Sequence, residues 1–487
     1  MRNAMNYKMI CHIIAPLLVI EAIFLLPAIG IGIYYGEINA VLAIVYSQSV
    51  MILAAGVLYF CSKRAPVGFH AKEGLVTTGL TWIIMSVLGC LPFYIAREIP
   101  RYMDALFEVV SGFTTTGSSI LLNVEAMSRC LLYWRSFTHW LGGMGVLVFL
   151  LAVLPLTRGY EGFTIHILRA ESPGPSVGKI VPRMKETAVI LYVIYIGLTV
   201  LDIVFLLIGR MPLFDAICIA FGTAGTGGFG VLNDSMAGYT AFAQTVTTTF
   251  MLLFGINFTV FYMLLLKRFK SALFDEELRV YLVIVVLAVL GVAWNIRNLY
   301  PTLRAVMHQA AFAVATIIST SGFAIADFNR WPAFAKTVLL CLMVCGACAG
   351  STGGGVKVAR LLLLGKGLRR NVHVNMHPSQ VLCVRLNGNP VNEKTIRNVA
   401  AYLVAYMAIL VISVLFLSLD GFSLETNLSA VLATINNIGP GLGMVGPAGN
   451  YAHFSDLSKL VLIFDMLAGR LEIFPILVLF GRSTWRK

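Results

Sequence analysis

The chain has 487 residues, of which 58% are hydrophobic and only 12% charged, and its mean hydropathy is +0.85. An ordinary water-soluble domain carries about 25% charged residues, so this chain has too few to cover a soluble surface and reads as a membrane protein with many spans. The net charge of +13 does not indicate nucleic acid, because basic residues gather in alternate gaps between apolar runs, the pattern of cytoplasmic loops under the positive-inside rule.

The first apolar run, from about Ile10, is too long for a cleaved signal and has no clear cleavage site, so it reads as a retained span. Runs of the ~20 residues a span requires follow in order near 10–35, 39–61, 73–97, 131–156, 187–209, 239–266, 277–295, 333–365, 397–419 and 457–481. Four shorter apolar segments lie between them, about 103–116, 213–226, 305–320 and 425–438. Such short runs at membrane depth read as re-entrant. The nine cysteines form no disulfide framework. Cys345 and Cys348 make a CxxC within an apolar run and read as small packing residues.

The four short segments are related. Without gaps they read DALFEVVSGFTTTG, DAICIAFGTAGTGG, QAAFAVATIISTSG and TNLSAVLATINNIG, ending on Gly117, Gly228, Gly322 and Gly439, which are 111, 94 and 117 residues apart. The predicted fold is therefore all-α and membrane-integral, with four pseudo-symmetric span–short helix–span repeats around a central pathway and two further N-terminal helices. The expected boundaries are 1–66 for the two extra spans, then repeats at 67–160, 161–270, 271–375 and 376–487.

Non-helical backbone at membrane depth persists only where protein buries it or water lines it. Four glycine loops facing one axis satisfy that condition. Glycine permits φ > 0, letting successive carbonyls turn the same way, and a ring of carbonyls replaces the hydration shell of an alkali cation. The short helices would aim their partially negative C-terminal ends at the same point. The candidate ion-binding residues are Thr115, Thr116 and Gly117; Thr226, Gly227 and Gly228; Thr320, Ser321 and Gly322; and Asn437, Ile438 and Gly439.

Nucleotide chemistry has two weak signals. Gly225, Gly227 and Gly230 spell G-x-G-x-x-G, but a long apolar helix follows where a βαβ unit is needed. A membrane-embedded nucleotide-dependent oxidoreductase is thus a remote alternative. The stretch GACAGSTGGGVK lacks the G-K-[ST] ending of a phosphate loop. His139, His166, His373 and His377 have no metal-ligand spacing and read as ordinary loop or interface residues. No catalytic triad or paired carboxylates stand out, and an enzyme is not expected.

The segments SGFTTTG, HWLGGMGVLVFLLAVLP, GACAGSTGGGVKVAR and NNIGPGLG resemble the Trk/Ktr/HKT superfamily of potassium transporters. The two extra N-terminal spans resemble its TrkH/TrkG-type membrane subunits, and the resemblance covers essentially the whole chain. It implies K⁺ uptake across the plasma (inner) membrane, with both termini cytoplasmic; a sodium-coupled or sodium-permeable relative is the alternative within the superfamily. The small residues Gly346, Gly350, Ser351, Thr352, Gly353, Gly354 and Gly355 would form an intramembrane loop that obstructs the pathway below the filter. Their glycines oppose a continuous helix, each at ~1 kcal/mol against alanine.

Arg470, costly within a span, would project toward that gate as a charge barrier, with Asp465 or Glu472 as a structural partner. Glu108 would brace the first loop, and Glu21 would pair locally. The resemblance further implies a homodimer in membrane lipid, docked through basic loops 157–187 and 357–397 on a cytoplasmic TrkA-type ring. Nucleotide, ATP/ADP or NAD(H), is expected only on that partner, and this chain needs no cofactor of its own.

Overall fold

The computed structural model describes residues 5–63, 71–145, 184–380 and 382–485. Most of these are helical, and the described strands are the two-residue pair Arg385–Leu386 and Asn389–Pro390, joined antiparallel across Asn387 and Gly388. Both turn residues have positive φ, 49° and 78°, as a two-residue hairpin turn demands.

Six segments are long and apolar enough to cross a membrane: Tyr7–Tyr35, Ile38–Cys61, Lys72–Ile95, Ala188–Ile208, Glu276–Ile296 and Glu393–Asp420. Their outward residues are apolar and exposed, among them Leu53, Leu287, Leu290 and Val404. The interior is largely apolar as well, but it also buries serine, threonine and asparagine, including Thr114, Thr115, Thr116, Ser321, Asn436 and Asn437. An apolar outer face over a core that also holds polar groups departs from the water-soluble pattern, as expected where lipid is the solvent and buried polar groups must find partners within the protein. The chain is a multi-pass, all-α membrane protein.

Four shorter helices lie inside this shell: Tyr102–Phe113, Leu213–Gly225, Leu303–Ile318 and Leu424–Ile435. Their inner halves are almost wholly buried, from Glu108 to Phe113 in the first and from Ser429 to Ile435 in the fourth. Thr302 and Ser423 cap the third and fourth by accepting from Ala305 N at 3.2 Å and Thr426 N at 3.3 Å.

The second span of each repeat departs from the continuous helix expected from hydropathy. The run 239–266 is two helices, Ala241–Phe254 and Phe258–Leu265, bent by 92°. The run 457–481 is likewise split into Asp456–Arg470 and Phe474–Phe480, with positive φ at Glu472 (55°) and Ile473 (71°) between them. The run 333–365 divides into Ala333–Cys345 and Val358–Met376, the one break expected in advance. In the first repeat the helix Arg129–Gly143 ends early; the remainder of run 131–156, the basic loop 157–187 and His166 lie outside the described residues. Hydropathy misses such breaks because one or two polar residues, such as Asn257 or Glu472, barely lower the mean of a long apolar run.

Candidate ion pathway

Each short helix ends in the same hydrogen-bonded cap. The amides of Thr116, Gly227, Ser321 and Ile438 donate to the carbonyls of Ser111, Gly222, Thr316 and Ala433, all at 2.8 Å. The preceding amides of Thr115, Thr226, Thr320 and Asn437 reach back three residues at 3.0–3.1 Å. These paired bonds make a Schellman cap, in which the residue after the cap is left-handed. Thr115, Thr226, Thr320 and Asn437 have φ of 55°, 55°, 61° and 54°, and Gly117, Gly228, Gly322 and Gly439 follow at 79°, 79°, 80° and 98°. Left-handed residues thus alternate with others, the backbone that turns successive carbonyls to one side.

The four loops close on one another. A Cβ placed on Gly117 would lie 1.8 Å from the carbonyl oxygen of Gly227, and one on Gly228 would lie 1.9 Å from that of Ser321. From Gly322 the distance is 2.2 Å to Ile438 O, and from Gly439 it is 2.8 Å to Thr116 O. The contacts run from first loop to second, third, fourth and back to the first, so backbone meets backbone around a full circle. No side chain fits at any of the four positions. A cavity of about 150 Å³ opens on this ring and is lined by all four glycines with Tyr451, Asn450 and Ser118.

Side chains behind the ring fix its shape. Glu108 and Arg135, both buried, pair at 2.7 Å. Glu108 also accepts from Ser119 Oγ at 2.9 Å and Ile120 N at 2.9 Å beyond the first loop. Arg135 donates to Gly230 O at 3.1 Å beyond the second loop and lies over the Phe229 ring at 3.5 Å. Asn437 Nδ2 donates to Thr116 Oγ1 at 2.9 Å, joining fourth loop to first, and Tyr451 Oη donates to Gly439 O at 2.7 Å. Glu21 is buried, and neither carboxyl oxygen has a hydrogen-bond partner among the described residues, in place of the local pair expected.

His139 corrects its reading as an ordinary loop or interface residue. It is fully buried in the core, with Nδ1 2.8 Å from Gly112 O and its ring 4.0 Å from that of Phe229. It also accounts for Gly225 and Gly227 of the second loop, which have no glycine counterpart in the other three. A Cβ on Gly225 would meet His139 O at 2.2 Å, one on Gly227 would meet its Nδ1 at 2.3 Å, and Gly222 makes room for Phe323. These glycines belong to the carbonyl end of helix Leu213–Gly225, with no strand before them, so the G-x-G-x-x-G has no dinucleotide geometry.

Residues 346–357 run directly below the ring. Gly354 N donates to Thr320 Oγ1 at 2.7 Å, and a Cβ on Gly354 would lie 2.2 Å from Asn436 O. The loop is stitched to the break in the second repeat, where Cys348 N donates to Gly255 O and Phe258 N to Gly350 O, both at 3.0 Å. Arg470 donates to Thr352 O at 2.8 Å, to Gly143 O at 2.6 Å and to Gly142 O. It thereby ties the loop to the C-terminal end of helix Arg129–Gly143, where a cation is favoured. Of its two expected partners, Glu472 is paired with Arg360, and Asp465 accepts from Ser413 Oγ at 2.8 Å. Cys345 and Cys348 are buried free thiols within this packing. Among the described residues, no group of three or more His, Cys, Asp or Glu side chains is placed to hold a metal ion.

The comparisons with known proteins agree along nearly the whole chain. The family described as TrkH, cation transport protein, matches residues 42–486. The Trk system potassium uptake protein TrkH of Salmonella typhimurium is 35% identical over 494 residues, covering 99% of this chain and 100% of that protein. TrkG of Escherichia coli is 30% identical over 491 residues, with 99% and 100% covered. The crystal structure of the potassium transporter TrkH from Vibrio parahaemolyticus superposes with a TM-score of 0.87 at 31% identity, covering 99% of this chain and 100% of that one. With its ring of four glycine loops and this likeness from end to end, the chain belongs to the TrkH family of cation transport proteins.

Proposed function

We propose that this chain takes up potassium ions across the plasma (inner) membrane through the ring formed by Thr115–Gly117 and its three counterparts. The observation that carries the reading is the closed circle of glycine-to-carbonyl contacts, which gathers backbone oxygens from all four repeats at one place. Carbonyls offer a dehydrated alkali cation fixed dipoles without a full counter-charge, so the ion is held and also released. The potassium uptake named for the relatives supports K⁺ as the cargo.

The loop at 346–355 is the gate in this reading. It lies under the third and fourth loops, and Arg470 both pins it and places positive charge beside the path. The four repeats take the boundaries 67–160, 161–270, 271–375 and 376–487. The chain acts as a homodimer with cytoplasmic termini, docked through 357–397 and 157–187 on a TrkA-type ring that binds the nucleotide.

Growth of a potassium-uptake-deficient strain at limiting K⁺ tests the filter. The native chain rescues growth, while Gly228→Ser and Gly322→Ser, each forcing a side chain onto a backbone carbonyl 1.9–2.2 Å away, abolish or relax the preference for K⁺ over Na⁺. Full, K⁺-preferring rescue by both variants refutes the assignment.

A further inference from the structure

Glu277 lies in the first turn of helix Glu276–Ile296 and is 4% exposed. One carboxylate oxygen, Oε1, accepts two backbone amides, Ala349 N at 2.6 Å and Ala359 N at 3.1 Å. These amides belong to the two ends of the intramembrane loop. Ala349 stands on its entry, and Ala359 in the first turn of helix Val358–Met376, which leaves it. First-turn amides have no intrahelical acceptor, and the residue at this helix's own N-cap, Lys357, has φ of 78° and makes no side-chain cap. The missing cap is supplied from another helix, by an acceptor that also holds the far end of the loop.

The two residues before Glu277 join it to the 385–390 hairpin and to the exiting helix. Asp275 Oδ2 accepts from Asn387 Nδ2 at 2.7 Å, and Glu276 N donates to Asn387 Oδ1 at 2.8 Å. Glu276 pairs with Lys366 of the exiting helix, and Lys366 donates to Arg385 O at 2.8 Å. Asn387 is exposed at the turn of the hairpin. Three consecutive acidic residues therefore touch the hairpin, the exiting helix and the loop.

We propose that Glu277 is a positioning residue that latches the intramembrane loop in its obstructing place, and that the 275–277 turn transmits movement of the 385–390 hairpin to that latch. The inference rests on the gating reading of the loop. A rigid helix start with contacts on both sides is a lever: displacing the hairpin at Asn387 strains the bonds at Ala349 and Ala359 together. No other described side chain bonds both ends of the loop.

The test uses the full-length chain in liposomes, with K⁺ flux and K⁺/Na⁺ preference measured beside the mobility of a nitroxide on Ser351→Cys, exposed Cys61, Cys341 and Cys383 being replaced by serine. Glu277→Ala removes both bonds. Glu277→Gln keeps the shape and one neutral acceptor, so the effect is also read on a conservatively altered chain. Loss of charge-assisted bonds to two amides predicts a mobile label and roughly tenfold higher flux in Glu277→Ala, an intermediate effect in Glu277→Gln and unchanged ion preference in both. Asn387→Asp, which opposes a carboxylate to Asp275, shifts label and flux in the same direction. Unchanged label mobility in both Glu277 variants overturns the latch. A mobile label with unchanged flux overturns the gating reading beneath it, and an Asn387→Asp chain identical to the native one overturns the lever.

Discussion

The Glu108–Arg135 pair gives the sharpest test of how the ring is held. Arg135→Met removes the cation that pairs with Glu108 but leaves Ser119 Oγ and Ile120 N in place at 2.9 Å each. Breaking a buried pair by deleting one partner costs ~3–5 kcal/mol, and the surviving donors place this variant at the lower end, ~3 kcal/mol. Glu108→Gln strands the guanidinium instead, with Gly230 O at 3.1 Å and the face of Phe229 at 3.5 Å to hold it. The double variant leaves no buried charge, so the singles do not add, and a double-mutant cycle shows coupling of ~2 kcal/mol. Because the pair joins the chain just beyond Gly117 to the chain just beyond Gly228, its loss loosens the junction between two of the four loops. If half of the ~3 kcal/mol falls on ion discrimination, the K⁺/Na⁺ preference drops roughly tenfold. Thermal unfolding of the purified chain and competitive K⁺/Na⁺ uptake read the two effects. An Arg135→Met chain that melts with the native one and keeps its ion preference refutes the bracing argument.

Two further outcomes follow from contacts already described. Arg470→Ala loses charge-assisted bonds to Thr352, Gly142 and Gly143, each of a kind contributing ~1.5–3 kcal/mol; K⁺ flux in liposomes rises while its half-saturating concentration stays, and flux at or below the native level contradicts the barrier. Gly225→Ala drives a methyl to 2.2 Å from His139 O and lowers stability by ~1–3 kcal/mol, whereas Gly197→Ala, with nothing within 4 Å, is neutral or stabilising by up to ~1 kcal/mol; equal melting temperatures for the two exclude the packing role given to Gly225.

What the sequence disclosed depended on whether the physics was local. The four loops were legible because a left-handed residue and a following glycine are needed at the same place in each copy, and the spacing of Gly117, Gly228, Gly322 and Gly439 records it. The break at 346–357 was legible because its glycines oppose helix. The breaks at 255–257 and 471–473 were hidden, since a single glycine or a Leu-Glu-Ile triplet is compatible with continuous helix. Pairings across the chain left no local trace: Asn437 and Thr116 are 321 residues apart, and Arg470 and Gly143 are 327 apart. His139 was misread for the same reason, because its burial depends on glycines in a different repeat.

The hidden breaks also explain how a fourfold ring carries an unsymmetrical loop beneath it. Among the described residues the long interruption is that of the third repeat, yet its loop could not dock against unbroken helices, whose carbonyls would be consumed by their own i→i−4 bonds. The break after Phe254 frees Gly255 O for Cys348 N and turns Phe258 N toward Gly350 O. Thr352 Oγ1 reaches Phe254 O at 3.2 Å in the same gap. In the fourth repeat the helix ends at Arg470, where the side chain can turn to Thr352 and Gly143, while Glu472, at φ 55°, is held by Arg360 of the exiting helix. In the first repeat the helix stops at Gly143 and leaves its last carbonyls for that same guanidinium. The first, second and fourth repeats thus each give up helical hydrogen bonds, and the groups released there hold the loop of the third.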